Sequence, residues 1–137
     1  MFISHAVSDR NFAILLAETL KTCQIASWYS EKHIIAARHW HDEIGRALAR
    51  CDWLIVVLTP ASVRSVWVKH ELLYALNKKR YQGRIIPLLL KTCRMEKLSW
   101  TLPNLQHVDF RKNREAGFRR LFQIWKLRYQ ATKSTGA

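Results

Sequence analysis

Leu54-Ile55-Val56-Val57-Leu58 is an unbroken aliphatic run, and it constrains the fold more than any other stretch of the chain. A strand with one wet face alternates apolar and polar residues; an uninterrupted run fits a strand covered on both faces, in the interior of a parallel sheet. The strand reads from Asp52 to Thr59, and Pro60 ends it, because proline cannot continue a ladder. Parallel neighbours require crossover connections of a dozen or more residues, usually helices. The rest of the chain should therefore alternate short β-rich segments with longer segments of helical period.

It does. The first strand is the stub Met1 to Ser4, followed by a helix from about Asp9 to Thr22, with Asp9 as its cap and Phe12, Leu15, Leu16 and Leu20 on one stripe. Ile25 to Tyr29 reads as a second strand. A polar loop from Ser30 to His39 then leads to a helix from Trp40 to Arg50 that buries Trp40, Ile44, Ala47 and Leu48. After the central strand, the spacing predicts a helix over 66–80, ended by Gly83. Its core stripe is Val68, Leu72, Ala75 and Leu76, while Trp67, Glu71 and Tyr74 share a neighbouring face. Arg84 to Leu90 is the fourth strand, and Pro87 argues that it lies towards an edge or ends early. His107 to Phe110 is the fifth. A final helix from about Glu115 to Tyr129 turns Phe118, Leu121, Phe122 and Trp125 inward.

The expected architecture is a flavodoxin-like three-layer α/β fold around a five-stranded parallel sheet. One domain spans 1–130, and 131–137 forms a frayed, disordered tail. The chain opens inside a strand, which predicts that it is joined to, or acts with, a further domain such as a sensor.

Charge and cysteines narrow the setting. Against 10 Asp plus Glu stand 23 Lys plus Arg, a formal net charge of +13, which favours anionic partners without choosing among them. Three widely spaced cysteines, Cys23, Cys51 and Cys93, fit free thiols in a reducing cytosol. No apolar run approaches the roughly 18 residues of a membrane span, so no membrane association is expected. The basic residues from Arg111 to Arg128 lie mostly opposite the apolar stripe of the last helix, as a solvated face would; nucleic-acid binding is a minor alternative. No metal site is expected: His39 and His41 diverge on a helix and have no partner ligands at useful spacing. No glycine-rich phosphate loop is present. The end of the central strand, Leu58-Thr59-Pro60, lacks an acidic phosphoacceptor.

Phe2-Ile3-Ser4-His5-Ala6 with Asp9 after it, Trp40, Leu54 to Pro60, Trp67-Val68-Lys69-His70-Glu71, Ile85-Ile86-Pro87 and Asp109-Phe110 follow one another in the order and spacing of the Toll/interleukin-1 receptor (TIR) domain family. By these boxes nearly the whole chain resembles a TIR domain, most of all the bacterial NAD-cleaving type. The resemblance implies self-association through the loop after the second strand, here Ser30 to His39. That loop carries Ser30 and Ala37 where the family usually has an acidic residue and a glycine. In enzymatic members the resemblance also implies cleavage of the nicotinamide glycosidic bond of NAD+, which is substrate rather than cofactor, in immune or anti-phage signalling. The catalytic glutamate of those members follows a tryptophan by four residues, which carries over to Trp67 and Glu71. Ser4, His5, Trp40 and Trp67 are the implied substrate-binding residues.

The chemistry supports Glu71 independently. Breaking the bond to cationic nicotinamide builds oxocarbenium character on the ribose. Nicotinamide is already a good leaving group, so one carboxylate near the sugar can suffice. Trp67 one turn away and Trp40 offer stacking platforms. The competing reading is a non-enzymatic scaffold for homotypic signalling, since the same fold serves both purposes. A glutamate within a helix is also often only a solvated residue or an ion-pair partner.

Overall fold

The computed structural model describes residues 1–29 and 37–129, the side chains of 37–42 excepted. Strand β1 (Phe2–Ser4) leads through a short 3-10 turn into helix α1 (Arg10–Lys21). Helix α2 (Ala37–Arg50), strand β2 (Leu54–Leu58), a one-turn helix α3 (Pro60–Val63) and helix α4 (Val66–Leu76) follow. Strand β3 (Ile85–Leu89), strand β4 (Val108–Asp109) and helix α5 (Arg114–Ile124) complete the order. The sheet is parallel, with β1, β2, β3 and β4 as successive neighbours. As its aliphatic run requires, β2 is interior, and all five of its residues are buried.

Alternation along the strands divides the core into two layers. Phe2, Leu54, Val56 and Leu58 face α2 and α4, packing with Ile44, Leu48, Val68 and Leu72. Ile3, Ile55, Val57 and Leu88 face α1 and α5, packing with Leu16, Leu20, Phe118 and Phe122. Fully burying each such side chain contributes about 1.5–3 kcal/mol.

The expected second strand is reduced to one parallel bridge between Trp28 and Phe2. Trp28 donates to the Met1 carbonyl at 2.8 Å and Ile3 donates to the Trp28 carbonyl at 2.9 Å, so this segment lies outside β1. Its place preserves the flavodoxin-like order, but among the described residues the sheet has four strands rather than five. Gln24, at φ 60°, turns the chain sharply before it, leaving little length for pairing.

Pro87 sits opposite Val56 in a strand flanked on both sides, contrary to the edge position expected. The reason lies in the ladder. Leu54 N–H donates to the Arg84 carbonyl, Leu90 N–H to Leu58 and Phe110 N–H to Leu89. Even-numbered β3 residues therefore bond β2, while odd-numbered ones turn to β4. β4 begins opposite Leu88, so the missing N–H of Pro87 faces the β4 side before that strand begins and costs no ladder bond.

Helix α4 ends at Leu76 rather than running to residue 80. A 3-10 turn over Lys79–Tyr81 follows, and it buries Tyr81 completely. The Tyr81 hydroxyl donates to the Leu48 carbonyl at 2.6 Å, and Arg80 reaches the Leu48 and Cys51 carbonyls at 2.6 and 3.0 Å. These donors satisfy the carbonyls at the end of α2, which a helix otherwise leaves unbonded. Gly83, at φ 73°, turns the chain into β3. α5 likewise stops at Ile124, short of Tyr129, and Lys126 adopts φ 57° just beyond it.

Candidate functional site

Ser4 is the last residue of β1, on the face shared with Phe2 and therefore towards α4. Helix α4 begins at Ser65, whose hydroxyl accepts from Val68 N–H at 3.2 Å as an N-cap. Six residues beyond the cap, Glu71 falls into the buried stripe at i+3 from Val68 and i−4 from Ala75. It thus belongs to the core face rather than to the neighbouring face assigned from spacing. Glu71 is only 6% exposed, and Ser4 Oγ donates to Glu71 Oε1 at 2.8 Å. This bond joins the carboxyl end of the first strand to a helix 67 residues away.

Burial pushes the Glu71 carboxyl up to about 8, with the Ser4 hydrogen bond pulling the other way. At neutral pH the group is therefore mostly the neutral acid.

A second buried pair stands at the same end of the sheet. Asp9, 6% exposed, accepts from Thr59 Oγ1 at 2.6 Å. Asp9 stands at the N-cap of α1 but makes no side-chain capping bond there, so its expected capping role gives way to a tie across to the loop after β2. Thr59 in turn accepts from Ser62 N–H at 3.2 Å, and Ser62 Oγ accepts from Thr59 N–H at 2.9 Å, a reciprocal cap on α3. The chain leaves β1 towards one side of the sheet and β2 towards the other. The Asp9–Thr59 bond thus crosses the crevice at the topological switch point, where open α/β sheets bind ligands. Sequence reasoning missed Thr59 and Ser62; the Thr-Pro-x-Ser spacing was the available signal.

His5 is buried beside Ser4. Its Nδ1 lies 2.7 Å from the Ala6 carbonyl, which can only accept, so the proton is on Nδ1. Its ring centroid is 6.3 Å from that of Tyr29. Trp67 is half-buried against the core layer that contains Val68 and Leu72, and meets His70 edge-on at 6.0 Å. Tyr74 points away from this end, with its ring beneath Lys78 Nζ at 5.1 Å. Trp40 belongs to α2, but its side chain lies outside the described residues, as does 30–36 of the expected association loop. The tail from 130 onward lies outside them as well. The structure thus joins Ser4 to Glu71, adds Asp9 and Thr59 at the same sheet end, and gives Trp67 a partly packed ring on the same helix.

A groove of about 570 Å³ between α1 and the Gln24–Tyr29 segment and a cavity of about 410 Å³ beyond the end of α4 are lined by neither Ser4 nor Glu71. Among the described residues no cluster of three or more His, Cys, Asp or Glu could hold a metal ion. No helix among them is long and apolar enough to cross a membrane. Of the basic run near the carboxyl terminus, Arg111 pairs with Asp109 at 2.9 Å and Arg119 with Glu115 at 3.4 Å.

The family model for the TIR domain matches residues 1–122. The chain is a TIR domain. Its fold is shared with the crystal structure of the TIR domain of the Toll-related receptor TRR-2 from Hydra magnipapillata. There the TM-score is 0.74 at 21% identity, covering 92% of this chain and 97% of that one. Among curated proteins it is similar to the 2′ cyclic ADP-D-ribose synthase BtTIR of Bacteroides thetaiotaomicron, 31% identical over 72 residues. Those residues make up 52% of this chain and 25% of that relative.

Proposed function

We propose that this TIR domain cleaves the bond between nicotinamide and ribose in NAD+, releasing nicotinamide and a linear or cyclic ADP-ribose, with Glu71 as the catalytic residue. The observation that carries the reading is a carboxyl buried at the carboxyl end of the sheet, in TIR register with Trp67, and tied to β1 by Ser4. Similarity to a cyclic ADP-ribose synthase supports the same chemistry.

A neutral acid becomes useful when the substrate is a cation. The positive charge of the nicotinamide ring favours the ionised form of a carboxyl within a few ångströms, lowering its pKa. Substrate binding would therefore expel the proton, leaving an anion in a poorly solvated place as positive charge develops on the ribose. An anion held in low dielectric stabilises that charge more strongly than one in water. Trp67 on the preceding turn would supply an aromatic face for the substrate, with His5 and Trp40 as further contacts. Cleavage is expected to depend on self-association, because a second protomer would help to exclude water from the ribose of a bound substrate. We place the activity in bacterial defence signalling in the cytosol, triggered when a sensor crowds the domains together.

The test is nicotinamide release from NAD+ by protein clustered on a scaffold or at high concentration, with Glu71→Ala as control. Turnover in the wild type and loss of at least about 100-fold in the variant are expected. Equal silence of both proteins after enforced clustering overturns the reading and favours the non-enzymatic scaffold. That alternative has its own support, since the Ser4–Glu71 bond also ties α4 to β1.

A further inference from the structure

We infer that Ser4 is a positioning residue for Glu71 rather than a substrate contact, its hydroxyl holding the carboxyl in one orientation and supplying a hydrogen bond that favours the ionised form. The kinetic half of this inference rests on the function proposed above; the titration half does not.

Accessibility separates the two roles first. Ser4 is 0% exposed and Glu71 6% exposed, so of the two only Glu71 keeps any surface for a ligand to meet. Rigidity comes next. Ser4 is held in register against Val56, so its hydroxyl projects from the sheet, whereas Glu71 reaches it on a longer and more flexible side chain. The short side chain on the rigid strand therefore fixes the long one, and the bond spans two elements that must keep a constant separation for the carboxyl to stay in place.

Chemistry supplies the third step. Ser4 acts as donor to Oε1, and a donor stabilises a carboxylate more than a neutral acid. Among the described residues no other charged group substitutes for it: burial and the Ser4 bond are the two causes of the altered Glu71 acidity. Of the elements packed against α4, β2 and α3 carry no titratable side chain, and the described titratable residues of α2, Glu43, Arg46 and Arg50, are exposed. On β1 and the turn after it, His5 bonds the Ala6 carbonyl and Asp9 bonds Thr59. On α4 itself Lys69 and His70 are exposed, and the Lys79–Tyr81 turn lies beyond the far end of the helix. Removing the Ser4 hydroxyl would leave burial unopposed.

The experiment compares Ser4→Ala and the isosteric pair Ser4→Val and Ser4→Thr with wild type. The pair keeps the comparison valid if the alanine variant folds poorly, because Val and Thr match in size and differ by the hydroxyl. The Glu71 carboxyl is titrated by 13C NMR with the resonance assigned through Glu71→Gln, and nicotinamide release is followed on the clustered protein. Loss of the hydroxyl is expected to move the Glu71 midpoint upward by about one pH unit. It should also lower kcat/KM for NAD+ at neutral pH about tenfold, with most of the loss recovered as the pH is raised past the new midpoint; Ser4→Thr should retain both wild-type values. An unchanged midpoint in Ser4→Ala and Ser4→Val overturns the inference, as does a raised KM at constant kcat that persists above the Glu71 midpoint, which is the signature of a substrate contact. If wild type releases no nicotinamide, the proposed function falls, and the midpoint alone decides the role of Ser4: a shift supports it and no shift overturns it.

Discussion

Glu71→Gln should make the protein more stable as pH rises, and by an amount that grows with pH. The carboxyl moves from an ordinary 4.5 in the unfolded chain to about 8 in the folded one. Below pH 4.5 both states hold the proton and ionisation costs nothing. Between 4.5 and 8 the unfolded chain releases its proton while the folded chain keeps it, so the native protein binds more protons and loses stability as pH rises. The slope is about 1.4 kcal/mol per pH unit. Over the whole window the penalty reaches roughly 5 kcal/mol, about 3 of it already present at pH 7. Against a total stability of about 5–15 kcal/mol, that is a large fraction. Glutamine keeps the volume and an acceptor oxygen for the Ser4 hydroxyl, yet cannot ionise. Urea unfolding of wild type and Glu71→Gln at intervals from pH 4.5 to 8.5 isolates the effect, because every other titrating group cancels in the difference. The stability difference should widen in favour of glutamine by about 3–5 kcal/mol across the series. A difference constant to within about 0.5 kcal/mol would show that Glu71 ionises as a solvated residue does, and the buried-acid account of the site would be wrong.

The same acidity sets the pH dependence of turnover: kcat/KM for NAD+ should climb through neutral pH and level off above about 8, the value of the free protein. A flat profile from pH 6 to 9 in steady-state nicotinamide release would contradict it. Gly117→Ala should destabilise by about 1–3 kcal/mol, since a Cβ there would stand 2.7 Å from the Phe110 ring; an unchanged urea midpoint would show that the ring moves aside. Tyr81→Phe, which removes only the donor to Leu48 at 2.6 Å, should cost about 1–2 kcal/mol in chemical denaturation. Thr59→Val removes both the donor to Asp9 and the acceptor for Ser62 N–H, and should cost about 2–4 kcal/mol; a loss below about 0.5 kcal/mol would mean that Asp9 finds another partner.

The layers were readable in the sequence because they follow from periodicity. Continuous burial of β2 is what an unbroken aliphatic run specifies, and the stripes of α1 and α5 fell on Leu16, Leu20, Leu121 and Phe122 as spacing requires. What sequence spacing did not reveal was contact between distant residues. Tyr81 shortens α4 because its hydroxyl belongs to the end of α2, and nothing within 66–80 announces a partner at residue 48. Pro87 can occupy a flanked strand only because β4 starts one residue late, a fact of register rather than composition.

Glu71 shows the same limit at the site. Helical spacing allowed it a place beside the core stripe or within it, and a carboxylate is normally assigned the wetter choice because burying a charge is costly. The structure takes the other choice and limits the cost in two ways: the group stays protonated through most of the neutral range, and Ser4 meets one of its oxygens. Sequence spacing could identify the residue but not this condition, since the donor lies on a strand 67 residues earlier. The consequence reaches function. A carboxyl kept neutral until a cation arrives would carry its full charge only when substrate is present, so the stability lost to burying Glu71 and the selectivity for a positively charged ring would have a common origin. Replacing Glu71 by glutamine separates the two, gaining stability at high pH while losing the anion.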